Sequence, residues 1–394
     1  MHCPSFLWIS FIMRFLITLL LLVGACSAPR QEESPDSLLR TTTDYLWSQQ
    51  AEDGGWHSRT HGILKGGKAW TPFVLFYLMQ TPDAADHSED IERAMDFIRT
   101  SIGDAGAVGV NDSVVLEYPN YATSYAYRVL LDHGAAEDSI LIAKVRTYLL
   151  SQQFGKSRGF SPDQPAFGSW GFGETGLPDG IQGHVDLSHT RRVLQAIAED
   201  LPSAAASEAQ VFLSLMQKLP TDPRSLPPGN APSNDNIFDG GFYASSTVFG
   251  TNKAGVAKQG EAEYFASYAT TTCDGILALL AAGVPKTDDR IVAAADWLRS
   301  HPLLDRPEGI PVNTVGSWEK VLFYYHLAVR AEVYKALDWP GDWRNDLFDQ
   351  LTERQRTDGS FANPFGAPNK EDDPILATAM VVGLLLDVMS PSAD

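Results

Sequence analysis

Gln50-Ala51-Glu52-Asp53-Gly54-Gly55-Trp56 reads Q-x-x-x-G-x-W, and Gln355-Arg356-Thr357-Asp358-Gly359-Ser360-Phe361 reads Q-x-x-x-G-x-F. In both places a helical run ends in the glutamine and a second helical run follows the aromatic residue. Six such units occur, spaced about 45–60 residues apart, which is the mark of stacked supersecondary units sharing one core. Gly54 and Gly359 permit backbone conformations closed to other residues. The glutamine amide is placed to satisfy backbone groups freed at the helix end, and the ring to cover it and pin the neighbouring hairpin.

Working outward from these turns, the first unit spans about 36–80, with helices expected over 38–50 and 70–78. The second pairs 91–98 with 121–131, and the third pairs 140–153 with Leu187–Ile197 across the loop Phe167-Gly168-Ser169-Trp170-Gly171-Phe172. The fourth joins 209–219 to 268–282 through a long connection holding Asp239-Gly240-Gly241-Phe242. The fifth joins 291–299 to 321–337, and the sixth joins 343–354 to Pro374–Met389. First helices carry charges at helical spacing, as in Asp296-Trp297-Leu298-Arg299. Second helices are apolar nearly all round, and a helix without a polar face is buried. The expectation is an all-α domain over residues 36–390, with six inner apolar helices inside six outer amphipathic ones.

Residues 1–26 stand apart. Arg14 precedes the apolar run Phe15–Val23, which is short for a membrane span and is followed by small residues, as in a signal peptide. Val23-Gly24-Ala25-Cys26 has the look of a bacterial lipoprotein signal, with Cys26 lipidated and membrane attachment through its acyl chains. Met13 offers an alternative start to Met1. Residues 27–35 read as a polar tether. The expected location is the cell envelope or periplasmic face.

Cys273 is the one cysteine beyond this leader, so no internal disulfide forms and stability rests on burial. The chain has 30 basic and 49 acidic side chains, and losing the leader removes one base and no acid. That balance argues against nucleic acid or anionic lipid surfaces as partners. No P-loop, nucleophile elbow or His-Glu-x-x-His stretch occurs.

The Gln-Gly-aromatic turns, together with Ser267-Tyr268-Ala269-Thr270-Thr271, Tyr324-Tyr325-His326, Asp186-Leu187-Ser188-His189-Thr190 and Glu371-Asp372-Asp373-Pro374, resemble the squalene cyclase and prenyltransferase superfamily, in its exported bacterial branch. The resemblance implies an (α/α)6 toroid around a central cavity. Members cyclise isoprenoids, transfer prenyl groups, or act without an apolar ligand, so the fold leaves the function open. It implies an apolar small molecule or lipid as partner, held for catalysis or by a non-catalytic scaffold.

Cyclases of this superfamily that start by protonating an alkene use D-x-D-D-T-A. Here Asp372-Asp373 and Thr378-Ala379 are present but four residues apart. A buried carboxyl beside another acid has a raised pKa, which suits Asp373 as acid, with Asp372 beside it and His326 to orient or recharge it. Asp373-Pro374 reads equally as a helix cap with a first-turn proline, and His326 as a hydrogen-bonded core residue. Zinc prenyltransferases of the fold place an Asp two residues before a Cys. Cys273 instead precedes Asp274 directly, which leaves Cys273, His326, His184 and His189 as weak zinc candidates and otherwise no cofactor. His184 and His189 are five apart and do not share a helical face. Tyr121, Tyr125, Tyr268, Trp318, Phe323, Tyr324 and Tyr325 are candidates to line the cavity and stabilise cationic intermediates, with Asp186 beside them at a helix start. Packing of a large helical core is the competing explanation for these rings.

Overall fold

The structure, a computed structural model, describes residues 34–391 apart from 111–115, 175, 179, 223–236 and 260–261. The leader, Cys26 and the tether up to residue 33 lie outside the described residues.

The outer helices are α1 (Pro35–Ser48), α3 (Ser88–Ser101), α5 (Ser139–Ser151), α7 (Ser203–Met216), α9 (Asp289–Ser300) and α12 (Trp343–Thr352). The inner helices are α2 (Trp70–Leu78), α4 (Pro119–His133), α6 (Leu187–Ile197), α8 (Ala269–Ala281), α11 (Phe323–Ala336) and α13 (Pro374–Met389). Each inner helix packs on the next, and α13 returns to α2, so the inner ring closes. Most outer helices lie on the inner helix of the preceding unit, and α1 completes the circle by packing on α13. This is an α/α toroid.

The turns show why it closes. Gln50 Nε2 donates to Gly54 O of its own turn (3.0 Å) and to Asp90 O in α3 of the next unit (2.8 Å). Gln153 does the same to Gly168 O and Ala205 O, and Gln217 to Gly240 O and Arg290 O. Gln355 reaches Gly359 O and Thr41 Oγ1 in α1, joining the last unit to the first. The glutamine itself therefore does the pinning that the sequence assigned to the ring. The ring is fixed instead by its own groups: Trp56 Nε1 donates to Leu46 O and Trp170 Nε1 to Leu149 O, both at 2.7 Å. Gly168 has φ +86°, and a Cβ there would collide with Glu208 O of the next outer helix. Only glycine allows that approach.

Three local features depart from the sequence expectation. Helix α1 begins at Pro35, inside the expected tether, because the Ser34 side chain caps it by accepting from Ser37 N. The fifth inner helix breaks at Leu322 into α10 (Trp318–Val321) and α11. The long fourth connection holds an antiparallel hairpin, β1 (Val256–Gln259) and β2 (Ala262–Phe265). No helix among the described residues is long and apolar enough to cross a membrane.

Candidate functional site

Because all six inner helices run the same way, one mouth of the channel is built from their N-terminal ends and the other from their C-terminal ends. The inner ring encloses two chambers, of about 500 Å³ at the N-terminal mouth and about 600 Å³ beyond it, and charged side chains of α4, α6, α11 and α13 interrupt the apolar wall of the second. Both volumes fall within the usual range of small-molecule sites. Phe73, Tyr121, Tyr325 and Met380 border both chambers and form the waist between them.

Aromatic rings dominate the upper chamber: Trp70, Tyr118, Phe172, Tyr268 and Trp318 join the waist residues. Two non-glycine residues of its wall, Tyr118 (φ 49°) and Lys370 (φ 65°), have left-handed backbones, and Ser317 (φ 45°) precedes Trp318. Such strain persists only where the surroundings enforce it, and it gathers at functional sites. Among the aromatic candidates, Tyr121, Tyr268, Trp318 and Tyr325 line this chamber and Tyr125 lines the lower one. Tyr324 borders neither; it is buried against Phe361.

Asp186 is the N-cap of α6 and accepts from His189 N. Its carboxylate also sits between two imidazoles, with His184 Nε2 and His189 Nδ1 both 2.9 Å away. Burial opposes the charge of Asp186, but the imidazoles outweigh it and hold the carboxyl well below the usual carboxylate range. The hydrogen bond to Asp186 raises His184. An ionised carboxylate only accepts, so His189 carries its proton on Nδ1 and presents Nε2. That Nε2 is buried without a partner, and His189 borders the upper chamber. The spacing argument missed this triad because His184 lies in the loop before α6, where helical faces do not apply.

The second acid in this wall, Asp274, was not singled out from the sequence. It lies mid-helix in α8, 2% exposed, and borders the upper chamber. Tyr325 Oη donates to both its oxygens at 2.8 and 3.0 Å, and Arg191 Nε lies 2.9 Å from Oδ1. Burial pushes its carboxyl up to about 6 against the pull of Arg191 and the phenol. An acid in an otherwise uncharged inner helix was the available signal, since a buried Asp is rare unless paired.

The acids singled out from the sequence sit elsewhere. Asp373 is the N-cap of α13, accepting from Ile375 N at 3.0 Å and from Ser58 Oγ at 2.8 Å. Asp372 pairs with His61 Nε2 at 2.8 Å. Glu371 accepts from Tyr324 N and Tyr325 N, both at 3.0 Å, and from Asn363 Nδ2. Neither chamber is lined by any of the three. His326 bonds Leu303 O, and burial pushes it down to about 3. Cys273 is fully buried, and burial pushes its thiol up to about 12. The four zinc candidates do not form one site: His184 and His189 meet at Asp186 without Cys273 or His326, and no group of three or more His, Cys, Asp or Glu side chains among the described residues is arranged to hold a metal ion.

No family model matches the chain, and no curated protein matches its sequence. Solved structures share its fold. A protein from Actinoplanes aligns with TM-score 0.54 at 16% identity, covering 91% of this chain and all of that one. The type II terpene cyclase MstE from Scytonema aligns with TM-score 0.53 at 16% identity, covering 89% and 97%; another MstE structure holds geranylgeranyl dihydroxybenzoate as substrate. The GH76A α-1,6-mannanase from Salegentibacter sp. HEL1_6 aligns with TM-score 0.52 at 9% identity, covering 90% and 98%. One toroid thus carries terpene and glycan chemistry, so the site must decide.

Proposed function

We propose that this chain binds an isoprenoid-type apolar molecule in the upper chamber and isomerises it by proton transfer, with Asp274 as acid and His189 as base. The observation that carries this reading is one aromatic chamber bordered both by a carboxyl raised to about 6 and by an imidazole Nε2 without a partner. In the proposed step Asp274 gives its proton to one carbon of a C=C bond, leaving a carbocation on the other. A second double bond of the same chain attacks the cation and closes a ring. His189 Nε2 then removes a proton, so substrate and product are isomers, and solvent returns the proton to Asp274. The π faces of Tyr121, Tyr268 and Trp318 favour the cationic stage. One feature supports an apolar rather than a glycan ligand: the chamber is walled mainly by rings and aliphatic groups. The terpene cyclase neighbour supports the same choice.

Export and acylation at Cys26 belong to the same proposal, because a membrane anchor keeps the chamber beside a lipid supply. Changing Cys26→Ser should move the protein from the membrane to the soluble fraction; membrane association at the wild-type level refutes the anchor.

The test of the chamber is native mass spectrometry of the detergent-solubilised full-length protein after incubation with total lipid extract. A retained isoprenoid mass that is lost on Trp318→Ala supports the reading. Retention of an oligosaccharide, or of nothing, overturns it.

A further inference from the structure

One arginine that borders the lower chamber has no direct hydrogen-bond or ion-pair partner among the described residues. Arg191 is spent: its Nε faces Asp274, and its Nη1 donates to Glu332 Oε2 at 2.8 Å. Glu332 Oε1 is taken by Gln195 Nε2. Lys335 pairs with Asp387 at 2.9 Å, and Arg128 with Asp132 at 3.2 Å and Glu199 at 3.5 Å. Arg192 differs from all of these. It is 9% exposed, it borders the chamber, and it makes no hydrogen bond or ion pair with any described residue. Its Nε, like that of Arg191, is buried without a hydrogen-bond acceptor, but no carboxylate lies beside it.

The guanidinium lies over the rings of Tyr125 and Tyr121, 4.4 and 5.5 Å from their centroids. Ring contacts satisfy the face of the cation. They leave its in-plane N–H fork unused, and that fork matches the two oxygens of a carboxylate. Buried guanidinium N–H groups without acceptors are costly, so a ligand that supplies acceptors gains affinity by removing that cost. Glu332, paired directly with Arg191, also interacts with the charge of Arg192, which leaves room for one further negative charge at most. Glu332 and Asp274 are close by, so a ligand with several charges would meet repulsion with nothing to offset it.

We propose that Arg192 anchors an oxyanion subsite: the ligand carries a carboxylate that docks edge-on to Arg192 in the lower chamber, while its isoprenoid chain passes the waist into the upper one. This rests on the isoprenoid reading of the upper chamber, and it narrows the ligand to an acidic isoprenoid. The waist of Phe73, Tyr121, Tyr325 and Met380 then sets which part of the chain faces Asp274 and His189.

Isothermal titration of the detergent-solubilised full-length protein at pH 7.5 with farnesoic acid, farnesol and farnesyl diphosphate tests this. The acid should bind at least about 10-fold tighter than the alcohol, as expected of a charge-assisted bidentate pair. Arg192→Gln should bring the acid to within about twofold of the alcohol and leave the alcohol unchanged, while Arg192→Lys should keep part of the difference. If Arg192→Gln does not fold, the acid-to-alcohol ratio of the wild type remains decisive. Equal binding of acid and alcohol overturns the subsite and leaves the apolar chamber standing. Tightest binding by the diphosphate overturns the monoanion assignment. If none of the three binds, the reading of the upper chamber fails, and the subsite fails with it.

Discussion

Two acidic regions of this toroid look alike in sequence terms and differ in what their carboxyls touch. In the corner Glu371-Asp372-Asp373, each acid holds a different element: Glu371 the start of α11, Asp372 the His61 loop, Asp373 the start of α13 and Ser58. In the channel wall, Asp186 and Asp274 are also fully engaged, but by groups that border one chamber or the other: two histidines, an arginine and a phenol. Glu371 and Asp373 bind free N–H groups at helix starts and border neither chamber, whereas Asp186 caps α6 and borders the upper one. An acid in the middle of an inner helix finds no free N–H. It must pair sideways, which puts it in the wall.

The sharpest way to break this contrast is Asp274→Asn. If Asp274 is the acid, turnover of a cyclisable isoprenoid should fall by about 10²–10⁴-fold, the usual worth of a positioned proton donor. The amide still accepts from Tyr325 and still faces Arg191, so circular dichroism should stay native and native mass spectrometry should still find ligand. Wild-type turnover in this variant would remove Asp274 from the chemistry.

Titration separates the two wall acids from each other. For Asp274 the folded value, about 6, lies above its ordinary 3.8, so the native state holds the proton more tightly. Its contribution to stability therefore declines as pH rises from about 4 to about 6, whereas the protonated fraction available as acid falls as pH passes through about 6. Asp186 is held below its ordinary value, so its contribution is fully present above about 3.8 and is lost only as pH falls below that. Turnover measured against pH should fall on the alkaline side of about 6, and Asp274→Asn should flatten the stability profile between pH 4 and 6. A turnover profile flat across pH 5–7 would contradict the acid assignment.

How much of this was legible depended on whether a residue's role was set locally. The turn glycines, the glutamines and the bounds of α6 and α13 follow from short-range signals: a period, a left-handed turn, an Asp cap, an Asp-Pro start. The ring follows from those repeated six times. The site does not, because it joins α4, α6, α8 and α11 across the channel. Asp274 reads as a blemish in Ala269–Ala281 until Arg191 and Tyr325 are seen to meet it. The neighbouring arginines of α6 were equally informative and equally silent: one makes direct ion pairs with two acids from other helices, and the other makes none.

The corner yields the smallest effect and the most direct check on its role. Asparagine caps a helix about as well as aspartate, so Asp373→Asn keeps the acceptor for Ile375 N. What it loses is the second oxygen, which accepts from the buried Ser58 hydroxyl at 2.8 Å. Weakening that one bond should cost about 1 kcal/mol, seen as a lower urea midpoint with an unchanged slope. Ligand retention and turnover should match the wild type, because Asp373 borders neither chamber. If turnover collapses while the unfolding curve stays put, the proton donor sits in the corner after all. A cap that merely starts α13 has no route to that result, whereas an acid reaching the ligand does.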